Sequence, residues 1–161
     1  MTGGGYNRSN ICYNLRKAAR AVIIDKDNQV PLLFASKYNY HKLPGGGIEN
    51  NETALEALRR EVLEEAGVCI KSIKDIGVII EYRDKIKLLQ ISYCYFARID
   101  KFIKKPSFTK KELSDGFELK WMDFDKAINT IKKDKPSNYT GVFIQKRDLT
   151  LLAEAKAKFQ N

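Results

Sequence analysis

Glu61, Glu64 and Glu65 stand at i, i+3 and i+4 in a stretch that reads as a helix, a spacing that brings three carboxylates onto one face above the small residue Ala57. Each like-charge pair of that kind costs about 0.2–0.5 kcal/mol on an isolated helix. Glu64 and Glu65 also fall in the last turn, where the helix dipole disfavours anions. A hard divalent cation offsets both costs, because Mg²⁺ or Mn²⁺ takes oxygen ligands and needs neither histidine nor cysteine. For the helix alone, a solvated acidic face is the plain alternative. Just upstream, Gly45-Gly46-Gly47 lets the backbone approach a ligand closely, although a glycine triplet by itself is an ordinary loop. Other chemistries are poorly supplied. His41 is the only histidine and reads as a loop residue, and Cys12, Cys69 and Cys94 are widely separated with no CxxC spacing. Neither a zinc site nor a disulfide framework follows, and a reducing cytoplasm fits best.

The elements that must hold these residues are marked locally. Thr53-Ala54-Leu55-Glu56 is a capping box, Thr53 as N-cap with Glu56 reaching back, and Gly67 stands where a helix over 54–66 would end. Leu55, Leu58, Val62 and Ala66 form the face expected to pack on a sheet. The loop from Tyr38 to Asn51, with Pro44 and the glycines, leads into this helix. Before it, Ala18–Asp25 and Val30–Ser36 read as two strands of a hairpin turned by Lys26-Asp27-Asn28. After it, Ile76–Tyr82, Leu88–Ala97 and Phe117–Met122 read as strands, and Asp123–Lys133 and Thr140–Phe159 as helices. Lys101–Lys111, five lysines around Pro106, reads as a solvated loop.

With 161 residues, one α/β domain over 1–161 is expected, residues 1–15 being a flexible or peripheral segment. Met1–Asn10 lacks the apolar core of a secretory signal, and no apolar run approaches the length of a bilayer span, so neither export nor membrane insertion is expected. The formal net charge is +9, yet Glu49 to Glu65 holds six acids against two bases, a local −4 that leaves +13 for the rest. A basic chain with one acidic patch suits anionic small molecules. No recognised nucleic-acid motif accompanies the lysines, and specific nucleic-acid binding is not expected. The oligomeric state, monomer or homodimer, stays open.

Taken together, Gly46-(x5)-Glu52-(x7)-Arg60-Glu61-Val62-x-Glu64-Glu65-x-Gly67-Val68 resembles the complete box of the Nudix hydrolases. Seven fixed residues put a chance match on the order of 10⁻⁸ per window, too small to compete. The resemblance implies an α/β/α sandwich around a central mixed sheet, the box forming loop, helix and loop. It implies that Glu64 and Glu65 are metal ligands together with the Gly45 carbonyl, and that Arg60 and Glu52 brace loop and helix as an ion pair. Gly46 and Gly67 shape the box. Glu61 either binds metal or serves as the general base, Glu64 and Arg60 being placed with it in the catalytic group; Glu112 and Glu118 are the candidates for a carboxylate outside the box. The implied activity is cleavage of a diphosphate linkage with Mg²⁺ or Mn²⁺. The first substrate is a nucleoside triphosphate such as 8-oxo-dGTP, giving monophosphate and pyrophosphate. The absence of proline between Pro44 and Pro106 and the single Trp121 count against ADP-ribose and NADH. Dinucleoside polyphosphates, nucleotide sugars and a non-catalytic sensing module are the alternatives. Trp121, Tyr139 and Phe143 are candidates to stack a base.

Overall fold

A computed structural model describes residues 10–160. Strand β1 (Asn14–Ile24) runs through the middle of the molecule, its neighbours being β4 (Gly45–Gly47), antiparallel, and β6 (Leu88–Phe102), parallel. The remaining strand of this mixed sheet is β5 (Val68–Arg83), giving the order β4-β1-β6-β5. A second, antiparallel sheet joins β3 (Tyr40–Lys42), β2 (Gln29–Ala35) and β7 (Phe117–Asp123) in the order β3-β2-β7. Helices α1 (Ala54–Ala66), α2 (Lys110–Ser114), α3 (Phe124–Lys133) and α4 (Tyr139–Phe159) complete the described residues.

The period of two along β1 makes the sandwich. Ala19, Ala21 and Ile23 point to one side and pack with Leu58, Val62 and Ala66 of α1. Val22 and Ile24 point to the other, into a core with Leu32, Phe96, Ile131 and Leu151, beneath α3 and α4. The α/β class with a central mixed sheet is as expected.

Local expectations fared unevenly. The hairpin over 18–36 closes only at its turn, where Asp25 N–H donates to the Gln29 carbonyl at 3.1 Å; β1 and β2 then diverge into different sheets, each with other partners. Gly45–Gly47 is a short strand rather than loop alone. Strand β5 begins eight residues before Ile76, a start that the sequence hides because Lys71, Ser72, Lys74 and Asp75 break the apolar pattern and bulges interrupt the pairing with β6. The lysine-rich segment is strand to Phe102 and helix from Lys110, with a connection between. Most of the peripheral segment expected over 1–15 lies outside the described residues, and Asn14 and Leu15 already belong to β1.

Candidate active site

Helix α1 starts on the capping box read from sequence: Thr53 Oγ1 accepts from Glu56 N–H at 3.2 Å and Glu56 Oε2 accepts from Thr53 N–H at 2.7 Å. It ends at Gly67, whose φ of 71° is left-handed and whose N–H donates to the Leu63 carbonyl. A Cβ at 67 would lie 1.8 Å from the Lys104 carbonyl oxygen, so only glycine fits. One face assignment needs correction. Leu55 is 43% exposed, and the buried face carries Ala57, Leu58, Val62, Ala66 and also Glu65, which is 2% exposed. In the same first turn it is Ala54, not Leu55, that packs against this core.

Glu61, Glu64 and Glu65 all line one cleft of about 700 Å³, with the three glycines of β4 on its floor. Their carboxylates do not meet at one point: among the described residues no three His, Cys, Asp or Glu side chains gather closely enough to enclose an ion. Each is instead engaged by a cation. Arg60 Nη1 donates to Glu61 Oε1 at 2.8 Å and stands 3.8 Å from Glu64. Lys42 Nζ is 3.3 Å from Glu65 Oε2 and donates to the Gly45 carbonyl at 3.2 Å. The other Glu65 oxygen, Oε1, accepts from Gly45 N–H at 3.2 Å.

Arg60 is the hub of the box. Its Nε and Nη2 form a fork on Glu52, at 2.7 and 3.0 Å, and Nη2 also donates to the Gly47 carbonyl at 3.0 Å. Glu52, held by this guanidinium and by the Glu49 N–H, has its carboxyl drawn down to about 2. Burial acts oppositely on Glu65, pushing it up to about 7 against the pull of Lys42; burial and Glu61 also raise Glu64. Gly46 is glycine because a Cβ there would fall 2.4 Å from Glu61 Oε1. Gly45 packs as tightly, its would-be Cβ 2.3 Å from the Ala19 carbonyl oxygen at a φ of 144°.

Of the acids outside the box, Glu112 lines the cleft while capping α2, where its Oε2 accepts from Thr109 N–H at 2.6 Å. Glu118 sits on β7, paired loosely with Lys120 at 3.8 Å and 63% exposed, and does not line it. Asp115 was not singled out by sequence, yet it lines the cleft, 7% exposed and bonded to Lys111 at 2.6 Å. The stacking candidates are placed elsewhere: Trp121 packs on Phe102, and Tyr139 on Phe143, outside the cleft. The aromatic rings that line it are Tyr40 and Phe117. His41 is no loop residue but a buried member of β3, its Nδ1 2.9 Å from Asp134.

The family resemblance implies that lysines and arginines of the basic remainder hold distal phosphates, but the sequence does not single out which; four arginines are in place. Arg16 and Arg20 of β1, Arg83 of β5 and Arg147 of α4 all line the cleft, from elements other than α1. The mixed sheet explains their meeting: its pairing sets Arg16 beside Gln90 and Gln90 beside Glu81, so residues 65 positions apart share one row.

A cleft lined by the three glycines of β4, by an acidic helix and by strands of a mixed sheet fits the resemblance to the Nudix hydrolases, and the comparisons agree. Residues 14–142 match the family model of the NUDIX domain, and the chain belongs to that family. It is 31% identical to Nudix hydrolase 13, mitochondrial, of Arabidopsis thaliana over 65% of this chain, spanning about half, 55%, of the plant protein. It is 27% identical to human diphosphoinositol polyphosphate phosphohydrolase 3-beta over 77% of this chain and 73% of that one. With the oxidized purine nucleoside triphosphate hydrolase of Danio rerio the identity is 31%, over 51% of this chain and 48% of the relative. Among solved structures, a NUDIX hydrolase from Nitrosomonas europaea superposes with a TM-score of 0.64 at 15% identity, covering 89% of this chain and 90% of the other. One from Clostridium perfringens gives 0.58 at 21%, covering 87% and 97%. Hydrolases of this family generally use divalent metal ions. No helix among the described residues is long and apolar enough to cross a membrane.

Proposed function

We propose that this chain hydrolyses a diphosphate linkage in a small phosphorylated substrate, with Mg²⁺ or Mn²⁺ held by Glu64, Glu65 and the Gly45 carbonyl, the carboxylates drawing in around the ion from their separated positions. Glu61 acts either as a further ligand or as the general base. The observation that carries the reading is Glu65: a carboxylate 2% exposed, with Oε2 lacking any hydrogen-bond partner among the described residues and the Lys42 ammonium 3.3 Å away. A buried anion is retained at such a cost where a cation compensates it. The donor set is all oxygen, which suits a hard divalent ion. When bound, such an ion polarises phosphate oxygens and acidifies water.

The chain's own groups do the rest. Where Glu61 serves as the general base rather than as a metal ligand, it accepts the proton of the attacking water; the Arg60 hydrogen bond to its Oε1 and the close packing on Gly46 support a fixed direction for its carboxylate. Sequence and the zebrafish relative support a nucleoside triphosphate, an oxidised purine among them. The human relative, named for diphosphoinositol polyphosphates, supports a second reading, which the displacement of Trp121, Tyr139 and Phe143 from the cleft favours: a substrate recognised by phosphates more than by a base. Three free cysteines support a reducing compartment, the cytoplasm first. A hydrolysis screen over nucleoside triphosphates, dinucleoside polyphosphates, nucleotide sugars and diphosphoinositol polyphosphates, both products identified, tests the reading. Release of one phosphorylated fragment from each side of a diphosphate is expected; inertness toward every class would overturn it.

A further inference from the structure

Arg16, Arg20, Arg83 and Arg147 meet in the cleft with too few acids to neutralise them. Behind the wall stand two carboxylates: Asp148, which accepts from Arg147 Nε at 2.8 Å, and Glu81, shared between Arg83 at 3.0 Å and Arg147 at 3.6 Å. Neither lines the cleft, whereas all four arginines do. Among the described residues, the two on β1 have only neutral side-chain acceptors, Arg16 on Gln90 Oε1 at 2.8 Å and Arg20 on Ser92 Oγ at 3.4 Å. Arg83 and Arg147 are 4% and 3% exposed, and Arg83 Nε and Arg147 Nη2 are buried with no hydrogen-bond partner among the described residues. Burial and the positive charge of its neighbours bring Arg20 down to about 10 and lower Arg16 as well. Like charges gathered in a cleft, with N–H donors unsatisfied, form a site for an anion that accepts several hydrogen bonds.

The wall adjoins the proposed reaction centre. Arg20 pairs with Gly45 across β1 and β4, and Arg16 Nη2 would lie 3.3 Å from a Cβ at Gly47, whose carbonyl Arg60 holds from the other side. A phosphate on the wall and a diphosphate at α1 therefore lie along one cleft. Resting on the reading of α1 as the helix that cleaves, we propose that these four arginines form a second subsite, one that holds a phosphoryl group other than the one attacked. The substrate class is then phosphate-dense: either a linear chain of three or more phosphates or a diphosphate on a scaffold bearing further phosphates.

The test separates this subsite from metal and turnover. Calorimetric titration in EDTA with inorganic tripolyphosphate, pyrophosphate and myo-inositol hexakisphosphate is made on the full chain, on Arg16→Gln and Arg83→Gln, and on the double control Lys101→Gln/Lys104→Gln. Tripolyphosphate or the hexakisphosphate is expected to bind wild type at least tenfold more tightly than pyrophosphate, and each arginine substitution to weaken it at least tenfold. The control is expected to change binding less than threefold. Preference for tripolyphosphate assigns a linear chain, and preference for the hexakisphosphate assigns a phosphorylated scaffold. Absence of binding without metal, indifference to both arginine substitutions, or equal weakening by the lysine control would overturn the subsite. Arg16 is exposed on its strand, so its variant tests the proposal even if Arg83→Gln does not fold. Intact anion binding with no turnover in Mg²⁺ would instead overturn the hydrolase reading alone.

Discussion

Glu61 and Glu56 lie on one helix, five residues apart, and the account gives them different work. Glu61 lines the cleft with its carboxylate against Gly46, whereas Glu56 is exposed and closes the capping box. Glu61→Gln keeps the shape and removes the base, so kcat is expected to fall about 10²-fold or more with KM changing much less. Glu56→Gln is expected to cost about 1 kcal/mol of stability or less and to leave kcat near wild type. Steady-state rates for both on one substrate check this; a Glu61 variant of near-normal kcat would place the water elsewhere. Lys42 offers another test, since its ammonium holds the Gly45 carbonyl and Glu65 Oε2, two atoms proposed for the metal. Lys42→Met is expected to lower the Tm of the metal-free protein, by stranding a buried carboxylate, and to enlarge the rise in Tm that Mg²⁺ produces. A smaller rise would make Lys42 a support of the metal site rather than a competitor for it.

At the scale of elements, the box stands on the Arg60–Glu52 fork that ties the loop after β4 to α1. Glu52 titrates normally near 4.5 and is held at about 2 in the fold, so its ionised form favours folding fully above 4.5 and loses that advantage as pH falls toward 2. The difference in Tm between wild type and Glu52→Gln is therefore expected to be constant from pH 7 to about 5 and to close below it; a gap unchanged at pH 3 would contradict the fork. Much of α1 was legible because its signals are local: the caps at Thr53 and Gly67 lie within a turn of what they cap. Leu55 was misread because apolar spacing was taken to mark the buried face, whereas that face also runs through Ala57 and the charged Glu65 and leaves Leu55 at its margin. The first half of β5 was hidden by its polar residues and bulges, and the β1–β2 ladder failed because the strand partners of β1 come from Gly45–Gly47 and from residues beyond 88. Pairing at such separations leaves no mark in a window of ten residues.

Across the whole molecule, the acidic patch and part of the basic excess seen in sequence come together in one cleft, lined by carboxylates of α1 and by guanidiniums from β1, β5 and α4. The acids were found because a single helix carries them. The arginines were not, because three distant elements contribute them and a +9 total says only that bases are plentiful. The central claim is that the acidic side works through a divalent cation on a diphosphate. The most direct measurement is turnover of the best substrate from the screen, followed by phosphorus NMR as Mg²⁺ is titrated into protein freed of metal with EDTA. The account predicts no turnover in EDTA, a saturable rise with Mg²⁺, and paired phosphorylated products. Full turnover with EDTA present would contradict it.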